Sequence, residues 1–285
     1  MMQRPFSQID VFTAVPFSGN PVAVVLDGTG LSAEEMQRFA RWTNLSETTF
    51  VCAATDPGAD YLLRIFTPGA ELPFAGHPTL GSAHAVLEAG IARPRTGGRL
   101  VQQCGVGLVD IAVGPGWPEG VLSFRLPQHR LVTAPDASAL LSALSIGSSR
   151  RPPAIVDVGP RWAIVELASI AEVAALAPDL AALRAYDRAH GTTGLTVFAA
   201  SSSGAVKVRS FAPLDGIAED PVCGSGNGAV AAFRLEQGDI AAGEGYVASQ
   251  GQEIGRDGRI EIAVRDDGIH VGGRCVSCIA GSVLL

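Results

Sequence analysis

The sequence predicts an α+β protein of two pseudo-symmetric halves, each with a sheet around a central helix. Three observations carry this: short β-rich runs alternate with helix-like segments, one block of sequence occurs twice, and each copy leads into a helix-like stretch of matched length. The block RIFTP at Arg64 recurs as RSFAP at Arg209, 145 residues on, and ELPFAG at Glu71 recurs as EDPVCG at Glu219, 148 residues on. A three-residue insertion around residues 214–218 accounts for the difference. The helical stretches that follow run from Pro78 to a stop at Gly90 and from Gly226 to a stop at Gly238, again 148 residues apart.

In the first half, residues 9–15 and 21–26 read as strands. Residues 32–43 read as an amphipathic helix with Ser32 as N-cap and Glu35 closing a capping box. Residues 48–54 form the β-rich run that precedes the repeated block, as 195–200 do in the second copy. In the second half, 154–158 and 163–167 read as strands, and 170–186 as a helix broken near Pro178. The hinge is expected within residues 128–135, which divides the chain into an N-terminal domain, 1–128, and a C-terminal domain, 129–274. A duplicated pair of domains leaves a cleft, so the ligand site is expected between them.

Composition narrows the function. The chain has 285 residues, 47% of them hydrophobic and 17% charged, and a net charge of −7. No apolar run approaches the ~20 residues of a spanning helix, and no signal peptide opens the chain, so a cytoplasmic enzyme with no membrane partner is expected. The 21 basic residues are scattered and provide no footprint for nucleic acid. Lys207, the one lysine, lies in a strand-like run, which disfavours a phosphate-binding loop and a pyridoxal Schiff base. Five cysteines form an odd set, and Cys275 and Cys278, three apart in a strand-like segment, point to opposite faces. The five histidines show no ligand spacing. No metal and no cofactor are expected.

In both copies a Gly precedes a polar residue where a helix begins: Gly76 before His77, and Gly224 before Ser225. A helix start presents free N–H groups and about half a positive charge, which would hold an anion or a developing enolate. Carbon-acid chemistry also needs a base, and the candidates are Glu47, in the loop 44–48, and Asp220, before Pro221. Glu47 has no acidic counterpart in the second half, which favours one-base proton transfer over a symmetric racemase. Each residue also has a structural reading: Glu47 as a surface capping residue, Asp220 as a turn acid bonded to its own backbone, and His77 as a helix-start residue.

The segments QIDVFT (8–13), GNPVAV (19–24), NLSET (44–48), RIFTP (64–68), ELPFAGHP (71–78), EDP (219–221) with Gly224-Ser225, and SQG (249–251) with Gly255-Arg256 together resemble the PhzF family of phenazine-biosynthesis isomerase-like proteins. The resemblance implies a diaminopimelate-epimerase-like fold, with mostly antiparallel sheets wrapped around central helices, a C-terminal strand (275–285) that returns to the first domain, and a homodimer. The activity it implies is cofactor-free isomerisation of trans-2,3-dihydro-3-hydroxyanthranilate. Glu47 would be the acid/base, His77, Asp220 and Ser225 would bind and polarise the substrate, and the Gly76 and Gly224 turns would supply amides. A glutamate shielded in a closed cleft has its pKa raised toward about 6–7, suited to taking a carbon-bound proton and returning it.

One departure from related folds opens a second reading. The cysteine-dependent epimerases and racemases of this fold carry a Cys before each helix-start Gly, whereas here Ala75 holds the first place and Cys223 the second. A thiolate at a helix N-terminus has a lowered pKa, so an epimerase or dehydratase using Cys223 and acting on an amino or hydroxy acid is the alternative. A third reading, a noncatalytic binding or scaffold protein, would leave every small acid unexchanged.

Overall fold

The computed structural model describes residues 2–285. The chain forms two compact units, one made of the residues up to Phe124 with Gly272–Leu285, the other of Arg125–Val271. The first unit contains β1 (Gln3–Val11), β2 (Asn20–Val25), α1 (Ala33–Thr43), β3 (Thr48–Cys52), β4 (Tyr61–Phe66), β5 (Glu71–Leu72), α2 (Gly76–Glu88), β6 (Arg99–Cys104) and β7 (Gly107–Val113), and ends in β8 (Leu122–Arg125). The second contains β9 (Arg130–Thr133), α3 (Ala137–Ala143), β10 (Ala154–Asp157), β11 (Arg161–Glu166), α4 (Ile170–Ala175), α5 (Leu180–His190), β12 (Gly194–Ala200), β13 (Val206–Ala212), β14 (Ile217–Asp220), α6 (Gly224–Glu236), β15 (Gly245–Gln250), β16 (Gly258–Arg265) and β17 (Gly268–Gly273). The last strand, β18 (Cys275–Leu284), pairs antiparallel with β1 from Gln3 to Val11 and so belongs to the first unit.

The duplication read from the sequence is present strand by strand. In the first unit β1–β2 is antiparallel, β2–β3 parallel, β3–β4 antiparallel, β4–β6 parallel and β6–β7 antiparallel, with β5 as a short hairpin partner of β4. In the second unit β10–β11, β11–β12, β12–β13, β13–β15 and β15–β16 repeat that order of directions, with β14 on β13. The inserted residues form a 3-10 turn, Pro213–Asp215, between β13 and β14.

Each unit is organised around a helix that is apolar on every side. From His77 to Leu87 every residue of α2 is buried, as is α6 from Gly226 to Phe233. A helix apolar all round needs protein all round it. Two of the polar groups on α2 are bonded: Ser82 Oγ lies 2.8 Å from Thr49 Oγ1, and Gln102 Nε2 donates to Thr79 Oγ1 at 3.0 Å. The outer helix α1 is one-sided, setting Met36, Phe39 and Ala40 against Val25, Phe50 and Phe66. In the second unit Leu183 and Tyr186 of α5 and Val173 of α4 pack with Leu140, Ile155, Val197 and Phe211.

Several boundaries differ from the expectation. The first strand is Gln3–Val11 rather than 9–15: it ends where Phe12 turns left-handed at φ 66, and it begins earlier because β18 pairs along its whole length despite Pro5. Residues 130–133, within the expected hinge, form β9, hydrogen-bonded to β10. The expected 170–186 helix is two, α4 and α5, capped by Ser169 and Asp179 on either side of the break at Pro178. The capping box of α1 is present, with Ser32 N–H donating to Glu35 Oε2 at 2.8 Å and Glu35 N–H to Ser32 Oγ at 3.2 Å. No described helix is long and apolar enough to cross a membrane.

Candidate active site

Both central helices begin two residues earlier than the glycine-to-polar step suggested. Ala75 is the N-cap of α2 and Cys223 that of α6, so Gly76 and Gly224 are first helical residues, with His77 and Ser225 second. The three pairs match at a spacing of 148 residues. The hairpin before each helix is clamped by a two-pronged ion pair. Arg64 donates to both Glu71 oxygens at 2.7 Å, and Arg209 to both Glu219 oxygens at 2.9 and 2.8 Å. Each guanidinium also lies over a phenylalanine ring, Phe66 at 5.2 Å and Phe211 at 5.1 Å. Such forks fix geometry as well as adding energy.

In the first unit the structure brings Glu47 to His77. Asn44, left-handed at φ 55, ends α1 and reverses the chain. Thr43 and Thr48 then bracket the short loop through their hydroxyls, 2.7 Å apart, and the Glu47 carbonyl accepts from Ala23 N–H. The result places Glu47 Oε2 3.4 Å from His77 Nε2, with both side chains largely buried. Gly76 lies beside them, its α-carbon facing Phe124, whose ring a Cβ would meet at 2.8 Å. Glu47 is therefore not a surface capping residue.

In the second unit the α6 start gathers Asp220, Cys223, Gly224 and Ser225. Asp220 Oδ1 accepts from Val222 N–H at 3.0 Å, the turn bond its structural reading foresaw. Trp162 Nε1–H donates to Ser225 Oγ at 3.0 Å. Gln250 ties the segment together: its Oε1 accepts from Cys223 N–H and Asn227 Nδ2–H at 3.2 and 2.8 Å, while its Nε2–H donates to the Asp220 carbonyl at 2.9 Å. A side chain at Gly226 would force its neighbours to shift, because a Cβ would lie 2.7 Å from the hydroxyls of both Thr196 and Ser210.

The thiolate expected at Cys223 is not what the structure favours. Its sulfur caps the helix, accepting Gly226 N–H at 3.3 Å, and that bond does favour the anion. Burial outweighs it, and with the charge of Asp220 pushes the thiol well above its ordinary value. Cys275 is pushed up by burial as well.

The remaining histidines are placed apart. His84 is buried on α2 near Trp117, and burial lowers its pKa; His129 faces Glu236, and His270 faces Asp267. Among the described residues no group of three His, Cys, Asp or Glu side chains is spaced to hold a metal ion. From the sequence no site role is assigned to Trp162, to Gln250, which figures only within the segment SQG, or to Asn227. The repeat carried a signal for the last two: Gln102 bonds Thr79 in the first unit as Gln250 bonds Asn227 in the second, and both spacings are 148. Trp162 had no such signal.

Comparison with known proteins follows the same lines. The sequence pattern of the PhzC-PhzF family, phenazine biosynthesis-like protein, matches residues 9–281. A Schizosaccharomyces pombe protein named Antisense-enhancing sequence 1 is 38% identical over 99% of both chains. The trans-2,3-dihydro-3-hydroxyanthranilate isomerase of Pseudomonas chlororaphis is 36% identical over 97% of this chain and 98% of its own. Among solved structures, a PhzF-family phenazine biosynthesis protein of Bacillus anthracis superposes over 100% of both chains with a TM-score of 0.87 at 25% identity. On whole-length matches in sequence and in structure, the chain belongs to the PhzC-PhzF family of phenazine biosynthesis-like proteins, and it is an enzyme of the isomerase class.

Proposed function

We propose that this enzyme is a cofactor-independent isomerase that moves a proton between two carbons of a small carboxylate, with trans-2,3-dihydro-3-hydroxyanthranilate as the substrate to try first. The observation that carries this reading is the buried Glu47 set 3.4 Å from His77 at a helix start. Glu47 takes a proton from one ring carbon, and the electron pair left behind spreads into the conjugated system that ends on the substrate carboxylate. The same carboxyl then returns the proton to another carbon, so the reaction needs no oxidant and no second substrate. His77 positions the Glu47 carboxyl. The amides of Gly76 and Gly224, with Asp220 and Ser225, bind and polarise the substrate, and donors held in place before the charge develops are worth most where water is kept out.

The two helix starts correspond residue by residue, with a base beside the first and a hydroxyl donor at the second. The Cys223 alternative is weaker, because a buried, capping thiol with a raised pKa is a poor base.

A homodimer is part of the proposal. Residues 275–285 carry no charge in a chain of net charge −7, and beside β18 lies a groove of about 400 Å³ lined by Phe6, Phe39, Trp42, Leu45, Ile279 and Val283. Trp42 is 79% exposed there. Uncharged edge strands and apolar patches of this kind suit a second copy. Light scattering during gel filtration checks it: about twice 29.4 kDa supports the dimer and a mass equal to it does not. Five free cysteines support a reducing, cytoplasmic setting.

The activity is tested by proton NMR in deuterated buffer, with the dihydroanthranilate beside a panel of amino and hydroxy acids. Isomerisation of the first compound supports the full proposal. Exchange confined to another acid replaces the substrate, and no exchange in any of them rejects the proton-transfer reading.

A further inference from the structure

We propose that Trp162 is a positioning residue, which holds the Ser225 hydroxyl as a hydrogen-bond donor and so makes the α6 start a pocket for an anionic oxygen. This rests on the reading of the α6 start as a substrate site. Trp162 lies in β11 and is 3% exposed, and its indole N–H reaches Ser225 Oγ at 3.0 Å. An indole N–H only donates, whereas a hydroxyl both donates and accepts. Bonded this way, Ser225 Oγ spends a lone pair on Trp162 and must turn its own hydrogen elsewhere. The nearby alternative acceptor is Cys223 Sγ at 3.6 Å, a weak acceptor already occupied by Gly226 N–H. The stronger acceptor is a ligand oxygen.

The backbone around Ser225 has the same polarity. At the α6 start Cys223 N–H is taken by Gln250 Oε1, Gly226 N–H by Cys223 Sγ, and Asn227 N–H by the Cys223 carbonyl. The N–H groups of Gly224 and Ser225, first and second in the helix, have no acceptor within it. These two amides and one hydroxyl hydrogen are all donors, so they select a carboxylate or enolate oxygen over a ligand donor, while the Asp220 carboxylate is the acceptor at the same helix start. Without the indole, the hydroxyl could rotate and offer a lone pair instead, and that discrimination would be lost. Room for the ring is provided by Gly194, opposite Trp162 in the β11–β12 register, where a Cβ would come within 2.9 Å of Trp162 Cζ3. In the first unit His77 holds the place of Ser225, so the donor hydroxyl belongs to one half only.

A double-mutant cycle tests the proposal, with isomerisation as the rate readout and thermal unfolding alongside. Trp162→Phe keeps most of the ring and removes the N–H; it is expected to lower kcat/KM about tenfold with a small change in melting temperature. Ser225→Ala is expected to lower it further, and adding Trp162→Phe to Ser225→Ala should cost nothing more, since the indole acts through the hydroxyl. Equal losses from Trp162→Phe in both backgrounds would show a purely structural tryptophan and overturn the proposal. Full activity in Ser225→Ala would instead reject the site on which it rests. A second measurement needs no substrate: of the three tryptophan indole N–H resonances, that of Trp162 should move upfield in Ser225→Ala. An unmoved resonance would remove the hydrogen bond itself.

Discussion

At the scale of single residues, Glu47 and Cys223 make opposite predictions. Glu47→Gln keeps the shape and removes the base, so the rate should fall by at least about 10²-fold while the fold is retained. An unchanged rate would exclude Glu47 as the proton carrier. Cys223→Ser should leave the rate within about twofold, since a serine hydroxyl caps Gly226 N–H at least as well as the sulfur does. A large loss in a folded Cys223→Ser variant would make the thiol part of the chemistry. Glu47, His77, Asp220 and Ser225 were legible as candidates because motif and helix start mark them. Trp162 was not, because a lone aromatic in an apolar strand looks like any core residue until its N–H is followed to Ser225.

At the scale of elements, the close approach at the α6 start can be tested by Gly226→Ala. Its Cβ would press on the Thr196 and Ser210 hydroxyls, themselves 3.0 Å apart, and should cost about 1–3 kcal/mol in denaturant unfolding. A variant as stable as the parent would contradict that packing. The end of α5 carries a pH dependence. Asp187 is buried and accepts from Thr192 Oγ1 at 2.7 Å, and burial pushes its carboxyl up to about 6 despite that bond, with Asp215 adding to the rise. The folded state therefore binds a proton that the unfolded state has already lost, and this contribution to stability disappears as pH rises from about 4 to about 6. Asp187→Asn can still accept from Thr192 but carries no charge. It should stabilise the protein at pH 7.5 by roughly 1–3 kcal/mol and by less at pH 4.5. An equal effect at both pH values would locate the cause elsewhere. The outer helix α1 was legible to the residue through its capping box. The starts of α2 and α6 were misplaced by two residues because Ala75 and Cys223 are unusual caps, one with no side-chain bond and the other bonding through sulfur.

At the scale of the whole molecule, the duplication was legible because it recurs in motif, insertion and helix stop together. Paths of individual strands were less so, since residues 3–5 mix polar groups with Pro5 and acquire their strand only from a partner more than 270 residues away. That pairing predicts the outcome of truncation after Arg274. Without β18, β1 keeps only β2, from Phe6 to Val11, Gln3–Pro5 are left unpaired, and the first unit should fail to unfold cooperatively in thermal melts followed by circular dichroism. A truncated chain melting like the intact one would contradict the strand's structural role.

The central claim is one-base proton transfer by Glu47, and its most direct test is deuterium incorporation into trans-2,3-dihydro-3-hydroxyanthranilate, followed by NMR in deuterated buffer with the intact enzyme and Glu47→Gln. The account predicts isomerised product, carrying solvent deuterium wherever the Glu47 proton exchanges before return, from the intact enzyme and none from the variant. Product formed equally by both would contradict it.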